Sequence, residues 1–210
     1  MRILTVPNDT KILRSKSQGI NKIDDELVKF MADLGKTLKR QSNPQGIGLS
    51  AVQVGRPVRV FATLLEAGRK KEEGKGKKDG PELIYYINPE IVNHPKEMTL
   101  GEDLVESNAQ RSTGNAHPFL EGCLSIPKIY GTVLRWPWIK TKTMILTEQS
   151  LSSNSVFSIQ YSVFTLDALA ARVFQHELDH LNGILFTDHT MAQNGIMYRE
   201  KKERLEEISL

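Results

Sequence analysis

The chain has 210 residues, of which 39% are hydrophobic, 25% charged and 7% aromatic, which is the composition of one globular domain rather than of a disordered or fibrous chain. It has a single cysteine, which excludes an intrachain disulfide scaffold and a four-cysteine zinc module. The formal net charge of +3 permits contact with RNA without indicating it, because nucleic-acid binding needs clustered charge. No apolar run approaches the roughly 18 residues of a membrane span, and no signal peptide is recognisable. We therefore expect a cytosolic protein with no DNA or membrane partner.

The first half of the chain contains one predicted helix and two predicted strands. Apolar side chains recur at helical spacing over 24–41 and predict a helix. Strands are predicted over 58–65 and 83–87, the second closed by Asn88-Pro89. The Lys/Glu/Gly tract between the two strands, 66–80, has no large apolar side chain, so we expect a polar insertion outside the core.

The second half begins with another predicted polar insertion, 96–118, which is rich in Ser, Asn and Gly. Strand-like runs follow at 139–146 and 156–166. The strongest helix is predicted over 166–182, where helix formers are dense and Gly183 ends the run.

The remaining residues form a charged C-terminal tail, 191–210, in which a surface helix is predicted from Tyr198 onward. Several strands without regular β-α-β alternation, together with one very apolar helix, indicate an α+β fold. We expect a single domain, 1–210, in which antiparallel β-sheets pack around a central buried helix.

The sharpest motif is His176-Glu177-Leu178-Asp179-His180, an HExxH sequence inside the strongest predicted helix. Two histidines at i and i+4 lie on one helix face and can hold one metal ion, and the glutamate between them is a candidate general base. A catalytic site of this kind usually has a third protein ligand. The metzincin pattern would place a histidine where this chain has Phe186, so that option fails.

Two kinds of third ligand remain after this exclusion. A downstream glutamate would be Glu200 or Glu203, in a tail with no apolar face to bury it. Cys123 lies 53 residues before His176, in a turn-flanked segment. A lone cysteine is more often a small buried hydrophobic residue, but the missing ligand of the HExxH helix shifts the balance toward a metal ligand.

Three segments together resemble the motifs of peptide deformylases, in the order in which that family has them. They are Gly46-Ile-Gly-Leu-Ser-Ala-Val-Gln-Val-Gly55, Glu121-Gly-Cys-Leu-Ser125 and Gln175-His-Glu-Leu-Asp-His180. The resemblance covers most of residues 2–190. It implies a metal-dependent hydrolase that removes the N-formyl group from formylmethionyl nascent chains and releases formate.

The resemblance implies a metal centre and a general base. Cys123, His176 and His180 would hold one divalent ion, with Fe(II) as the native metal and zinc, nickel or cobalt as alternatives that such ligands also accept. Glu177 would take a proton from the water that the metal activates and would deliver it to the departing amine.

The resemblance also assigns residues that would support this chemistry. The side-chain amide of Gln53 and the backbone N–H of Leu124 would stabilise the negative charge that develops on the formyl oxygen. Glu121 and Arg135 would form an ion pair beneath the Cys123 segment. Asp179 would either orient a ligand histidine or remain a solvated helix carboxylate.

Substrate binding follows the same resemblance. Gly46 and Gly48 would let the peptide backbone lie against the chain as an added strand, a mode of recognition that tolerates many sequences. The candidate residues of an apolar pocket for the methionine side chain are Val173 and Leu169, one and two turns before His176 on the same helix face, and Ile47 opposite them. Core packing is the alternative role of these side chains.

This chain departs from the family pattern at the rim of the expected cleft. Lys128 stands where the family often has glycine, which leaves the shape of the rim open.

The segment 199–207 of the tail has balanced charges, so a basic ribosome-docking helix is not evident, although a transient contact with the ribosome is expected. Family-like sequence at Ile12-Leu-Arg14 leaves no room for an organelle leader, and we expect a bacterial cytoplasmic protein.

Two other functions remain as alternatives. A metalloendopeptidase would use Glu200 or Glu203 as its third ligand, and Cys123 would then be dispensable. A structural metal module, or a catalytically silent binder of formylated N-termini, would need a closed four-ligand site and would leave Glu177 without a role.

Overall fold

The structure, a computed structural model, describes residues 1–42, 45–66, 80–101, 104, 119–152, 160–202 and 204–208. Most of the predicted insertions 66–80 and 96–118, and the first part of the predicted strand 156–166, lie outside these residues. The helices of the described residues are α1 (Thr10–Leu13), α2 (Asp25–Lys39), α3 (Glu148–Ser152), α4 (Ala168–Leu181) and α5 (Phe186–Ala192), with a 3₁₀ helix at Ala51–Val54. The strands are β1 (Gly48–Ser50), β2 (Val60–Glu66), β3 (Pro81–Asn93), β4 (Leu120–Cys123), β5 (Ile126–Thr132), β6 (Trp138–Thr147), β7 (Ser162–Asp167), β8 (Met197–Lys201) and β9 (Arg204–Ile208).

These strands form two antiparallel sheets. The first sheet has the strand order β1-β2-β3-β6-β7, and the second has the order β4-β5-β8-β9. Strands β1 and β4, which carry two of the motifs, each lie at the edge of a sheet and have one side without a strand partner among the described residues. The predicted mixture of antiparallel sheets with few helices is confirmed.

The central strands β2 and β3 of the first sheet pack into the core with both faces, and successive side chains of each strand point to opposite sides. Val60 and Ala62 of β2 pack into the core cluster that contains α2. Phe61, between them, packs into a second cluster with Tyr86 of β3 and Phe174 of α4. The ring centroids of these three aromatic residues lie 4.8 to 5.3 Å apart. The sheet therefore supports α2 on one face and α4 on the other.

The two long helices lie where the sequence predicts them. The side chain of Asp24 caps α2 by accepting a hydrogen bond of 2.9 Å from the N–H of Leu27. Helix α4 ends before Gly183, whose φ of 75° is a left-handed conformation that suits glycine. No helix of the described residues has the length and the apolar character that spanning a bilayer requires.

Strand β3 is longer than predicted, because it continues through Asn88-Pro89 instead of ending there. The pairing of β3 with β6 shifts in register between Ile87 and Glu90, so a bulge accommodates the proline, which has no N–H to donate. Asn88 has a φ of 49°, and its side chain bonds both backbone groups of Ile20.

The predicted surface helix of the C-terminal tail is wrong. The segment forms the hairpin of β8 and β9, and β8 pairs with β5 at Ile129, Tyr130 and Gly131. The tail is rich in helix formers, but the backbone hydrogen bonds that β5 offers outweigh the local propensity. The hydroxyl of Tyr130 donates to Oε2 of Glu200 at 3.1 Å and joins the hairpin to β5 by a side-chain contact as well.

An ion pair joins α1 to α5. Arg14, which follows α1, reaches Asp188 with both terminal nitrogens, and Nη2 lies 2.8 Å from Oδ1. Burial would raise the pKa of Asp188, but hydrogen bonds from Arg14 and from the N–H of Leu185 outweigh it and hold this pKa below its usual range. The pair therefore stabilises the fold when Asp188 is ionised.

We expect Asp188→Asn to lower the free energy of unfolding by about 0.5–1 kcal/mol at pH 7, because the pair is partly exposed. The contribution should be fully present above the ordinary carboxyl pKa of about 4 and should be lost as the pH falls through the depressed pKa of the folded state. Urea unfolding at pH 7, 5 and 3 should show the two proteins converging at low pH. Glu206→Gln, in the exposed pair with Lys201, is the control and should have little effect. A difference that stays constant with pH would contradict the expectation.

Candidate metal centre

Three side chains offer ligand atoms to a common point: Cys123 at the end of β4, and His176 and His180 on α4. Their ligand atoms lie within 4.8 Å of one another. Sγ of Cys123 is 3.2 Å from Nε2 of His180. The structure therefore brings together the three ligands that the resemblance implies. Glu200, the alternative third ligand, lies on β8 outside this cluster, and Glu203 is not among the described residues.

The electrostatics of the cluster favour a thiolate at Cys123. Burial would raise the pKa of the thiol, but His180 and His176 beside it outweigh the burial and hold this pKa well below its usual range. The Nε2 amide of Gln53 and the N–H of Ser125 point at the sulfur from 3.5 and 3.4 Å. A thiolate and two imidazoles form a donor set that suits a first-row divalent ion, and three protein ligands leave one position open.

One buried carboxylate, Glu121, organises the surroundings of the cluster. Oε2 of Glu121 lies 3.1 Å from Nδ1 of His176, which leaves Nε2 of that ring for the metal. Arg135 donates to both oxygens of Glu121 at 3.0 and 2.9 Å, so the structure contains the ion pair expected from the resemblance. Arg172 adds a second arginine partner at 2.9 Å. Burial would raise the pKa of Glu121, but Arg135 and His176 hold it well below its usual range.

Sequence reasoning gave Arg172 and His189 no role in this network. Arg172 also donates to the backbone carbonyls of Val133 and Thr99. In the described part of the chain, Asp179 contacts neither His176 nor His180. Its carboxylate accepts a hydrogen bond from Arg135 and lies 2.9 Å from Nε2 of His189. The i−4 spacing of Arg172 from His176 was the only signal in the sequence. The carboxylate partner of Arg172 lies 51 residues away, and the contact of His189 with Asp179 depends on how α5 packs against α4.

The carboxylate of Glu177 contacts the first sheet and does not belong to the three-ligand cluster. Its side chain is buried, and the hydroxyl of Ser50 donates to Oε2 at 2.6 Å, with the backbone carbonyl of Glu177 as a second acceptor at 2.9 Å. Burial raises the pKa of Glu177, while the neighbouring imidazoles and the Ser50 hydrogen bond oppose the increase. The contact with Ser50 was not foreseen, because 127 residues separate the two side chains.

Gly48 makes room for this carboxylate. A methyl group at Gly48 would overlap the Glu177 carboxylate and come within 2.8 Å of its Cδ. A methyl group at Gly46 would come within 2.9 Å of Leu38 and 3.3 Å of Leu124. Both glycines are therefore required by close packing inside the protein, a constraint that the sequence pattern alone did not indicate.

The predicted donors for a developing negative charge both lie near Cys123. Gln53 is buried, and its amide is held by the N–H of Ser50, which donates to Oε1 at 2.8 Å, and by Ser125 Oγ, which lies 3.1 Å from Nε2. The second hydrogen of Nε2 can point toward the sulfur side of the cluster. The N–H of Leu124, in the tight turn after Cys123, has no acceptor among the described residues.

The cluster opens into a cleft of about 360 Å³. Its walls include every residue predicted for substrate binding: Gly46, Ile47, Gly48, Leu169 and Val173. The sequence did not indicate Phe119, Ile126 and Tyr130, which also line the cleft. Residues of both sheets and of α4 thus surround one largely apolar space next to the ligands.

We expect Glu121→Gln to weaken metal binding by about 10- to 100-fold. A neutral amide orients His176 less strongly, and Arg135 and Arg172 lose the negative charge that they pair with. Isothermal titration of the metal-free protein with Zn²⁺ or Ni²⁺ would measure the change in affinity. Glu90→Gln, on β3, is the matched control and should bind the metal like the unaltered protein. Equal affinity in Glu121→Gln would contradict a role of this carboxylate in the metal centre.

Comparison with known proteins agrees with this arrangement. The family model of polypeptide deformylase matches residues 1–195. The peptide deformylase of Brucella suis is 32% identical, and the match covers 92% of this chain and 87% of the Brucella protein. The peptide deformylase of Rhodopseudomonas palustris is 33% identical, and the match covers 96% of this chain and 92% of that protein.

Solved structures show the same relationship. A probable peptide deformylase from a Synechococcus phage superposes with a TM-score of 0.61 and 32% identity, covering 90% of this chain and 99% of the phage protein. Peptide deformylase 1B of Arabidopsis thaliana superposes with the same TM-score and the same identity, covering 92% of this chain and 83% of the plant protein. The chain therefore belongs to the peptide deformylase family, the metal-dependent hydrolases that remove the N-formyl group from nascent peptides.

Proposed function

We propose that Cys123, His176 and His180 hold one divalent ion, and that Glu177 beside them serves as the general base for hydrolysis of the formyl amide of formylmethionyl peptides. The juxtaposition that carries this proposal is a three-ligand cluster next to a buried carboxylate in an apolar cleft. We propose Fe(II) as the native ion, with zinc, nickel and cobalt as ions that the same donors accept. When bound, the ion would supply a Lewis acid that polarises the formyl carbonyl and acidifies water.

Glu177 moves the proton in this proposal. The carboxylate takes a proton from the attacking water and gives it to the amine that leaves, so that formate and a free N-terminus are produced. The raised pKa of Glu177, caused by its burial, suits a group that both accepts and returns a proton. Ser50 holds the carboxylate in place.

Gln53 and Leu124 stabilise the charge that forms during the attack. The Nε2 amide of Gln53 and the N–H of Leu124 both lie beside Cys123, and each can donate to the formyl oxygen as that oxygen becomes negative. The Gln53 amide is already oriented by Ser50 and Ser125, so it need not reorganise when the charge develops.

The peptide binds as an added strand along the edge of β1, with its backbone against Gly46 and Gly48. The edge position of β1 supports this mode, because its backbone groups on that side have no strand partner in the described residues. Ile47, Leu169 and Val173 form the pocket for the methionine side chain, and their place in the wall of the cleft supports this assignment.

The two other functions have less support. Glu200 bonds Tyr130 instead of joining the histidines, which disfavours an endopeptidase that uses Glu200 as third ligand. The cluster offers three ligand atoms in the described part of the chain, and a structural metal module needs four.

We also propose that α4 is the central element of a single domain over 1–210. Eight of its residues are buried, and it packs on the first sheet while Arg172 bonds Glu121 of the second. We propose the bacterial cytoplasm as the location and the ribosome as a transient partner, because formylmethionyl chains emerge there. The bacterial origin of the similar curated proteins supports this setting.

We expect Glu177→Gln to lower formate release from a formyl-Met-Ala-Ser peptide by about 10²- to 10⁴-fold, because the general base is lost. Cys123→Ala should abolish release because the metal is lost as well. A coupled formate dehydrogenase assay measures both effects, and elemental analysis should find the metal retained in Glu177→Gln and absent in Cys123→Ala. Lys29→Ala, on the exposed face of α2, is the control. Undiminished turnover in either site variant would contradict the proposal. Cleavage of unformylated internal peptide bonds would contradict it too.

Gly48→Ala tests whether the position of the Glu177 carboxylate matters. The added methyl group should displace this carboxylate and lower kcat by at least about 10²-fold, while the metal content stays unchanged. Gly19→Ala is the matched control, because a methyl group there meets no atom closer than 3.7 Å. Full activity of Gly48→Ala would show that the carboxylate has another productive position.

A further inference from the structure

Lys128 projects from an irregularity in β5 beside the metal ligand Cys123. Gly122 of β4 pairs with Tyr130 of β5, and the next residue, Cys123, pairs with Ile126. Three residues of β5, at positions 127–129, therefore have no counterpart on β4. A bulge of this kind redirects a side chain, and such bulges occur often next to active sites.

The backbone of Lys128 adopts a conformation that its side chain disfavours. Its φ is 64°, in the left-handed region that glycine enters without strain and that a lysine enters with strain. Strained backbone in natural proteins concentrates where the side chain serves a function. Glycine would fit this position with less strain, so the lysine is present here at an energetic cost.

Among the described residues, Lys128 forms no ion pair. Lys128 lines the cleft and is exposed, and no acidic side chain of the described residues lies within ion-pair distance of it. The other ionisable groups of the cleft wall have partners: Arg172 bonds Glu121, Cys123 lies beside the two histidines, and Glu177 accepts a hydrogen bond from Ser50. Lys128 is thus an exposed cation in the wall of the cleft.

A peptide leaving the methionine pocket has to pass the rim of the cleft. Strand β4 and the edge strand β1 both line the cleft, and an extended peptide advances about 3.3 Å per residue. The second and third residues of the substrate are therefore the ones that reach the cleft edge. The uncharged side chains of Gln41 and Gln45 line the cleft as well and supply no competing charge.

We propose that Lys128 is a specificity-determining residue that binds an acidic side chain on the second or third residue of the formylated peptide. The proposal rests on the proposed function, because it assigns a subsite to the same cleft. It divides substrates by charge: peptides with Asp or Glu after the formylmethionine are bound better than peptides with Lys or Arg at the same place. The attraction acts through an exposed ammonium group, so the preference is modest and sensitive to salt.

The experiment compares C-terminally amidated formyl-Met peptides with Glu, Gln or Lys at residue two or three. We expect kcat/KM to be roughly two- to five-fold higher for the Glu peptide than for the Lys peptide at about 20 mM salt, mainly through KM. The ratio should approach one at about 0.5 M salt. Lys128→Glu should invert the ratio, and Lys128→Gly should abolish it without backbone strain.

Each variant is judged by its own Glu-to-Lys ratio, so that a general change in activity cancels. Lys29→Glu, with the same charge change on the outer face of α2, should keep the ratio of the unaltered protein. A ratio near one in the unaltered protein, or a ratio that survives in Lys128→Glu, would overturn the proposal. A preference seen only with free-acid peptides would overturn it too, because the terminal carboxylate would then be the group that is bound.

A binding measurement separates this inference from the proposed function. Calorimetric titration of the metal-loaded Glu177→Gln variant with the same Glu and Lys peptides should give the same order of affinities without turnover. If the neutral Gln peptide releases no formate from the unaltered protein, the proposed function fails. If it releases formate and the charge of the peptide has no effect on either measurement, only the role of Lys128 fails.

Discussion

The metal centre depends on one buried anion, the carboxylate of Glu121. An ionised carboxylate without water around it is stable only where cations and hydrogen-bond donors replace the solvent. Arg135, Arg172 and His176 supply them here, from the segment after β5 and from α4. The contact that docks the second sheet against α4 is therefore the same contact that orients a metal ligand.

The first sheet contributes the other half of the chemistry. Its two faces hold α2 and α4 on opposite sides, and the aromatic cluster of Phe61, Tyr86 and Phe174 sets where α4 lies. This placement brings Ser50 into contact with Glu177, whereas Cys123 belongs to the second sheet. The base and the third ligand thus depend on different sheets, and the cleft lies where the two sheets meet α4.

The residues of the metal cluster could be predicted because their pattern is local or belongs to a recognisable motif. The i, i+4 spacing of His176 and His180 fixes their common helix face, and no tertiary information is needed for it. The long helices could be predicted for the same reason. The C-terminal hairpin could not, because β8 forms a strand only in contact with β5, and the sequence of the tail favours a helix. The extension of β3 through Pro89 required a bulge that pairing with β6 creates.

Contacts between distant segments account for the other residues that sequence reasoning missed. Arg172 and Ser50 have partners 51 and 127 residues away, so the sequence around them does not show what they contact. Gly48 was predicted to be important because the substrate backbone would approach it, and the structure adds a second reason, the Glu177 carboxylate that a methyl group there would overlap. In each case the residue type was compatible with the role, and the partner could be seen only in three dimensions.

The hydroxyl of Ser50 has one hydrogen and two acceptors in Glu177, a carboxylate oxygen at 2.6 Å and the backbone carbonyl at 2.9 Å. While the carboxylate is charged, the hydroxyl hydrogen is best placed on Oε2. Once the carboxyl is protonated, its own hydrogen can point to the serine oxygen, and the hydroxyl can rotate toward the carbonyl. The contact between Ser50 and the Glu177 carboxyl is then kept before and after the proton arrives, and the backbone carbonyl gains a donor. Rotation of the Ser50 hydroxyl about a single bond is therefore enough to keep this contact in both protonation states of Glu177.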